Sequence, residues 1–95
     1  MSAAIMSVNE RQLERIVKGF ANHHRIRVLM LLQGQPELSL AQIAEQLKVQ
    51  MKTMSEHVRR LALSGLVAKR HDGRWVRHKL TKRGVYALAL LRKLE

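Results

Sequence analysis

QMKTMSEHVRRLALSGL, residues Gln50 to Leu66, reads as one helix closed by a glycine. Met51, Met54, Val58 and Leu61 recur at near-helical spacing and form one apolar stripe. Lys52, Ser55, Glu56 and Arg59 form another that is short, polar and basic at its ends. The first stripe packs, and the second is left to solvent or to a partner. A polar helical face of this kind suits base edges and phosphates in a DNA major groove, and it suits a plain solvated helix equally well. The neighbouring chain decides between them.

Upstream, Ser39 followed three residues on by Gln42 has the spacing of a capping box. It opens a short helix with Leu40, Ile43, Ala44 and Leu47 inside, and Lys48-Val49-Gln50 links that helix to the longer one. A short helix, a tight turn and a second helix with a polar face make a helix-turn-helix, although an ordinary helical hairpin has the same outline. Downstream, Gly65 stands where a left-handed conformation is cheap only for glycine. Leu66 to Arg70 and Trp75 to Leu80 then flank His71-Asp72-Gly73-Arg74, and Asp-Gly between strand-like runs is a strong hairpin signal. Lys69, Arg70, Arg74, Arg77 and Lys79 load this ribbon with positive charge. A basic two-stranded ribbon after a helix-turn-helix is a wing; its adjacency to the polar helix argues against a merely solvated hairpin.

Further out, Ser7 to Glu10 has capping-box spacing and predicts a first helix with Val8, Leu13, Ile16, Val17 and Phe20 on its packed side. Ala21 to Gln33 continues helical, with Ile26, Leu29, Met30 and Leu32 as core, Gly34 as a stop and Gln35-Pro36-Glu37 as a turn. Thr81 caps a last helix whose first turn holds Lys82 and Arg83, cations that oppose the helix dipole unless this end faces phosphate. Val85, Tyr86, Leu88, Leu90, Leu91 and Leu94 make that helix apolar over more than half its girth. The surplus exceeds what one small domain buries and predicts a dimer contact shared with the first helix, through Leu13, Val17, Leu88, Leu91 and Leu94.

Ninety-five residues suit one domain, read here as residues 1–95 with 1–7 flexible. The net charge of +11 is unevenly spread: +1 over residues 1–47, +7 over 48–80 and +3 over 81–95. A positive field concentrated on the polar helix and ribbon is the footprint of a polyanion. Phe20, Trp75 and Tyr86 are too few for stacking on single strands, and the cations at 69–79 sit on strands rather than an interfacial helix. Double-stranded DNA is therefore the expected partner and a membrane is not. With no cysteine, disulfides and thiolate metal sites are excluded. Residues 1–10 hold no basic residue and no long apolar run, which predicts a cytoplasmic protein. Asp72 is the only aspartate, and no nucleophile–base spacing or phosphate-cradling glycine loop occurs, so no enzyme is expected.

Taken together, Ala21-Asn22-His23-His24-Arg25-Ile26-Arg27-Val28-Leu29, then SLAQIAEQLKVQMKTMSEHVRRLALSGLV, then KRHDGRWVRHKL, resemble the arsenic-repressor (ArsR) family of winged helix-turn-helix regulators. The resemblance covers residues 10–95 and is most specific from Leu40 through Leu80; Leu80 to Gly84 looks more like the related MarR group. It implies a homodimeric DNA-binding repressor. Gln50, Met51, Lys52, Thr53, Ser55, Glu56, His57 and Arg59 then occupy the recognition helix, and Lys69, Arg70, Arg74 and Arg77 the wing. Glu56 replaces a residue that is often basic in the family, and Gln50 is a poorer cap than the usual serine. Where many members carry a cysteine-valine-cysteine metal motif this chain has Ser39-Leu40-Ala41, and its last helix offers only Glu95. His23 and His24 are expected to point apart, and His57, His71 and His78 to lie on DNA-facing elements, so neither a metal nor another cofactor is expected.

The expected fold is mainly α with a small β-hairpin: a winged helix-turn-helix of five helices and a two-stranded wing. The expected function is a dimeric, sequence-specific regulator of transcription, with the effector left open. Two alternatives keep the same basic face: non-specific architectural DNA binding, and docking of an acidic protein.

Overall fold

The computed structural model describes residues 9–95. Five helices and three short strands follow one another as α1 (Glu10–Phe20), α2 (His23–Gly34), β1 (Leu38–Ser39), α3 (Leu40–Leu47), α4 (Met51–Leu63), β2 (Val67–Asp72), β3 (Trp75–Leu80) and α5 (Lys82–Lys93). The expectations for residues 1–7, including a cap at Ser7, lie outside the described residues. The first helix begins at Glu10, capped by Asn9, whose side chain accepts from the Gln12 amide. It does not run on into the second. Asn22 breaks the chain in extended conformation and accepts from the amides of His24 and Arg25, capping α2.

The α3 cap forms as its spacing predicts: Ser39 Oγ accepts from the Gln42 amide and the Gln42 side chain accepts from the Ser39 amide. Lys48 ends that helix in the left-handed region at φ 57°, and its N–H bonds back to Ala44 and Glu45. No glycine marked this stop. Gly65, at φ 73°, turns the chain out of α4 as expected. The Leu66 carbonyl then accepts from Thr81, and Thr81 in turn caps α5 by accepting from the Gly84 amide.

The sheet is antiparallel in the order β1-β3-β2, one strand more than the two-stranded wing expected. Residues 38 and 39 are too few to show a period of two, and they pair with His78 and Arg77 at the base of the hairpin. Glu37, just before them, is held at φ 71°, a conformation that costs a non-glycine residue about 1 kcal/mol or more. Three contacts hold it: its N–H donates to the His78 carbonyl, its carboxylate accepts from Arg70 and its carbonyl accepts from Arg77.

The core gathers Phe20, Val28, Leu29 and Leu32 from the first two helices, Ile43 and Ala44 from α3, and Met54, Val58 and Leu61 from α4. Leu66, Val67, Ala87 and Leu88 complete it. Burial of a side chain such as Met54 or Leu61, each at 0% exposure, contributes about 1.5–3 kcal/mol, which seats α4 firmly. Met51 departs from the expected apolar stripe: it lies at the first turn of α4, beyond the edge of the core, and is 52% exposed. Leu88, expected at a dimer surface, is fully buried in the core, and Leu91 packs against it. Leu13 and Val17 on α1, Val85, Tyr86 and Leu90 on α5 and Leu94 just beyond it are left exposed, as are Leu63 and Trp75.

Candidate nucleic-acid interface

With Met54, Val58 and Leu61 turned into the core, the opposite side of α4 presents Met51, Lys52, Thr53, Ser55, Glu56, Arg59 and Arg60 to solvent. The N-cap residue Gln50 makes no side-chain bond to the helix, so the first amides of α4 have no side-chain cap. A helix start of this kind, with no acidic residue in its first turn and Lys52 beside it, offers donors and a positive dipole end to an anion.

Further along, one carboxylate holds two cations. Arg59 forks onto Glu56 at 2.9 and 2.6 Å, and Arg60 Nε donates to the same Oε1 at 3.1 Å. Hydrogen bonds from Arg59 and then Arg60 hold the Glu56 carboxyl at about 2, well below the usual range, so it is ionised throughout the neutral range. Arg59, placed among the DNA contacts by sequence, is therefore preoccupied in the free protein.

His57 leaves the exposed face. Its Nδ1 accepts from Arg25 Nε at 3.2 Å, and Arg25 also donates to the Lys18 carbonyl, tying α2 to α4 and α1. His23 and His24, expected to point apart, have ring centroids 4.0 Å apart, and His24 lies 5.0 Å from His57. Burial first and neighbouring charge second push His24 and His57 below the ordinary imidazole value. Among the described residues no group of three or more His, Asp or Glu could hold a metal ion.

On the wing, Asp72 pairs with Trp75 across a two-residue loop, Gly73-Arg74, with Gly73 at φ 63°. Glycine at the first loop position is what a type II′ hairpin prefers. The register sorts the charges by face. Arg70 and Arg77 lie directly opposite one another, on the side carrying Ala68, Asp72, Trp75 and Lys79. Both are engaged: Arg70 with Glu37 at 3.1 Å, and Arg77 with Asp72 at 3.0 Å and with the Glu37 carbonyl. Lys69 and His71 point the other way and line, with Met51, Leu40 and Val76, a groove of about 470 Å³ between the wing and the start of α4. Arg74, at the hairpin tip, and Lys69 have no ion-pair partner among the described residues.

His78, expected on a DNA-facing element, is buried at the base of the wing with Nδ1 2.9 Å from the Leu38 carbonyl. Burial pushes its pKa down, and that hydrogen bond partly offsets the effect. Arg83 is not turned toward phosphate either. It donates to the Ser64 carbonyl at 3.0 Å and so satisfies the end of α4. Sequence reading missed His71 as a groove residue; strand alternation from Lys69 was the available signal.

The helix-turn-helix domain family matches residues 20–70, more than half of the chain. Among solved structures, the homodimeric winged helix-turn-helix DNA-binding domain (fragment 1–100) of a possible ArsR-family transcriptional regulator from Mycobacterium bovis is similar, with a TM-score of 0.79 and 27% identity over 97% of this chain and 82% of that one. The transcriptional regulator HlyU from Vibrio vulnificus gives a TM-score of 0.77 and 27% identity, covering 99% of this chain and 98% of that one. No curated protein matches the sequence. These relatives are regulators of transcription rather than enzymes. With the two packed helices, the three-stranded winged sheet and these matches, the chain belongs to the helix-turn-helix domain family, in its winged, ArsR-like form.

Proposed function

We propose that this protein is a cytoplasmic, dimeric, sequence-specific double-stranded DNA-binding regulator that acts as a repressor by occupying its site. One observation carries the reading: the only side of α4 free of the core, with its uncapped first turn, adjoins the wing face that bears Lys69 and His71. In this reading Gln50, Lys52, Thr53 and Ser55 reach base edges from the first turns of α4, and Met51 offers apolar contact to a thymine methyl. Arg59 joins them once Glu56 releases it. Lys69, His71 and Arg74 hold the backbone, which fixes register without reading sequence.

Dimerisation is supported by the exposed apolar residues Leu13 and Val17 on α1, Val85, Tyr86 and Leu90 on α5, and Leu94 just beyond it. A symmetric pair joined there presents two α4 helices to two half-sites. Selection of duplexes from a random pool at about 150 mM salt, where non-specific phosphate binding is suppressed, tests the proposal. The expected product is an inverted repeat with half-sites about 10 base pairs apart or a multiple of that. Recovery without enrichment points to architectural binding, and no recovery to a protein-docking role.

A further inference from the structure

Arg25 joins three helices. From α2, its Nη1 donates to the carbonyls of Lys18 and Gly19 in the last turn of α1, groups that a helix cannot satisfy by itself. Its Nε donates to Nδ1 of His57 on α4. The rest of the seat of α1 is small. Gly19 and Phe20 are its buried residues, and Gly19 lies so close to Ser64 on the far side of the contact that a side chain there would collide.

The bond to His57 settles a protonation state. A guanidinium only donates, so Nδ1 must accept, and His57 is the neutral imidazole with its proton on Nε2 while the bond is made. A proton on Nδ1 removes the acceptor and sets two cations against each other. His24, with its ring 5.0 Å from that of His57 and 4.0 Å from that of His23, has a buried Nδ1 with no hydrogen-bond partner among the described residues. A proton displaced toward it finds no acceptor. Burial first, then the charges of Arg25 and His24, push the His57 pKa below 6.5; Glu56 pulls it the other way and His23 adds to the depression. Arg60 acts on Arg25, and the Lys18 ammonium is paired with Glu14.

We infer that the Arg25–His57 bond is a proton-operated catch: Arg25 is the positioning residue that seats α1 on α4, and protonation of His57 releases it. Since α1 carries Leu13 and Val17, exposed apolar residues offered above for pairing, release weakens the pair that presents two α4 helices to DNA. That consequence rests on the dimeric reading proposed above, and the catch itself does not. The closed form has the lowered pKa, so it is intact above about 6.5 and is lost as the pH falls from there.

The test titrates the whole protein from pH 7.5 to about 5, following the histidine ring nitrogens, the Arg25 Nε–H and the amides of Lys18 and Gly19 by NMR. The Arg25 proton should be protected from solvent exchange while His57 is neutral and lose that protection in step with His57 protonation. The two amides should shift at the same midpoint. Self-association, read by sedimentation, should weaken about tenfold between pH 7.5 and about 5.5. In His57→Asn, whose Oδ1 stands near the place of Nδ1 and does not titrate, Arg25 should stay protected throughout and the acid loss should shrink to about threefold or less. Arg25 protection that survives His57 protonation overturns the inference, and the parent protein alone gives that answer if the variant fails to fold. Amides of Lys18 and Gly19 that titrate in His57→Asn as in the parent also overturn it. A monomer at both pH values overturns the pairing instead, and the protection of Arg25 then decides the catch.

Discussion

Arg59 on α4 and Arg70 on the wing have similarly exposed side chains, 53% and 55%, and both are ion-paired, but their pairs differ in kind. The partner of Arg59 lies three residues away on the same helix, so the pair needs no tertiary structure and parts with little consequence for the fold. The partner of Arg70 is Glu37, from the left-handed residue before β1, whose carbonyl also accepts from Arg77. That pair braces the sheet. Positive charge on α4 is thus a reserve that a phosphate can draw on, whereas much of the charge on the wing holds the wing in place.

The largest expected effect tests how differently the two regions are seated. Met54→Ala, beneath α4, should cost about 2–5 kcal/mol in denaturant unfolding, and Trp75→Ala, at the exposed hairpin, below about 1 kcal/mol. Equal costs would break the comparison. Next in size, Glu56→Gln releases two guanidiniums; duplex affinity should rise and the salt dependence should steepen by up to about 2 in log–log slope, about 0.9 for each added phosphate contact. Glu37→Gln should leave that slope unchanged and lower the melting temperature slightly, because exposed pairs contribute about 1 kcal/mol or less.

Within the wing, Lys69→Ala and Arg74→Ala should each flatten the salt slope by about 1, weakening all duplexes alike. Arg70→Ala should flatten it less, and an equal change would mean that the brace opens on DNA. The smallest effect is in pH. His24, His57 and His78 have folded values lowered from 6.5, so the unfolded chain takes up their protons first. Their contribution to stability is intact above about 6.5 and declines as the pH falls from there toward the folded values. His78→Gln, read by thermal melts between pH 7.5 and about 5, should reduce this dependence.

Much of this arrangement was legible in the chain. Capping residues at Ser39 and Thr81, the turn at Gly65 and the spacing of Met54, Val58 and Leu61 are local signals, and local signals carry helices. Less legible was anything set by a distant partner. Two strand residues at 38 and 39 form only because β3 lies alongside, and Lys48 adopts a left-handed stop because α3 and α4 must turn there. Asn22, an available cap, was overlooked in favour of a continuous helix. Within the candidate site, several side chains are oriented otherwise than their spacing suggests. His57, Arg70 and Arg77 are all on the expected elements, yet each faces a partner whose position depends on packing.

The division of labour between α4 and the wing is tested most directly by repeating duplex selection with two variants, Lys52→Ala and Lys69→Ala. The α4 variant should return an altered or relaxed sequence, and the wing variant the parental sequence at lower yield. The reverse, a parental sequence from Lys52→Ala and a changed one from Lys69→Ala, would contradict that division.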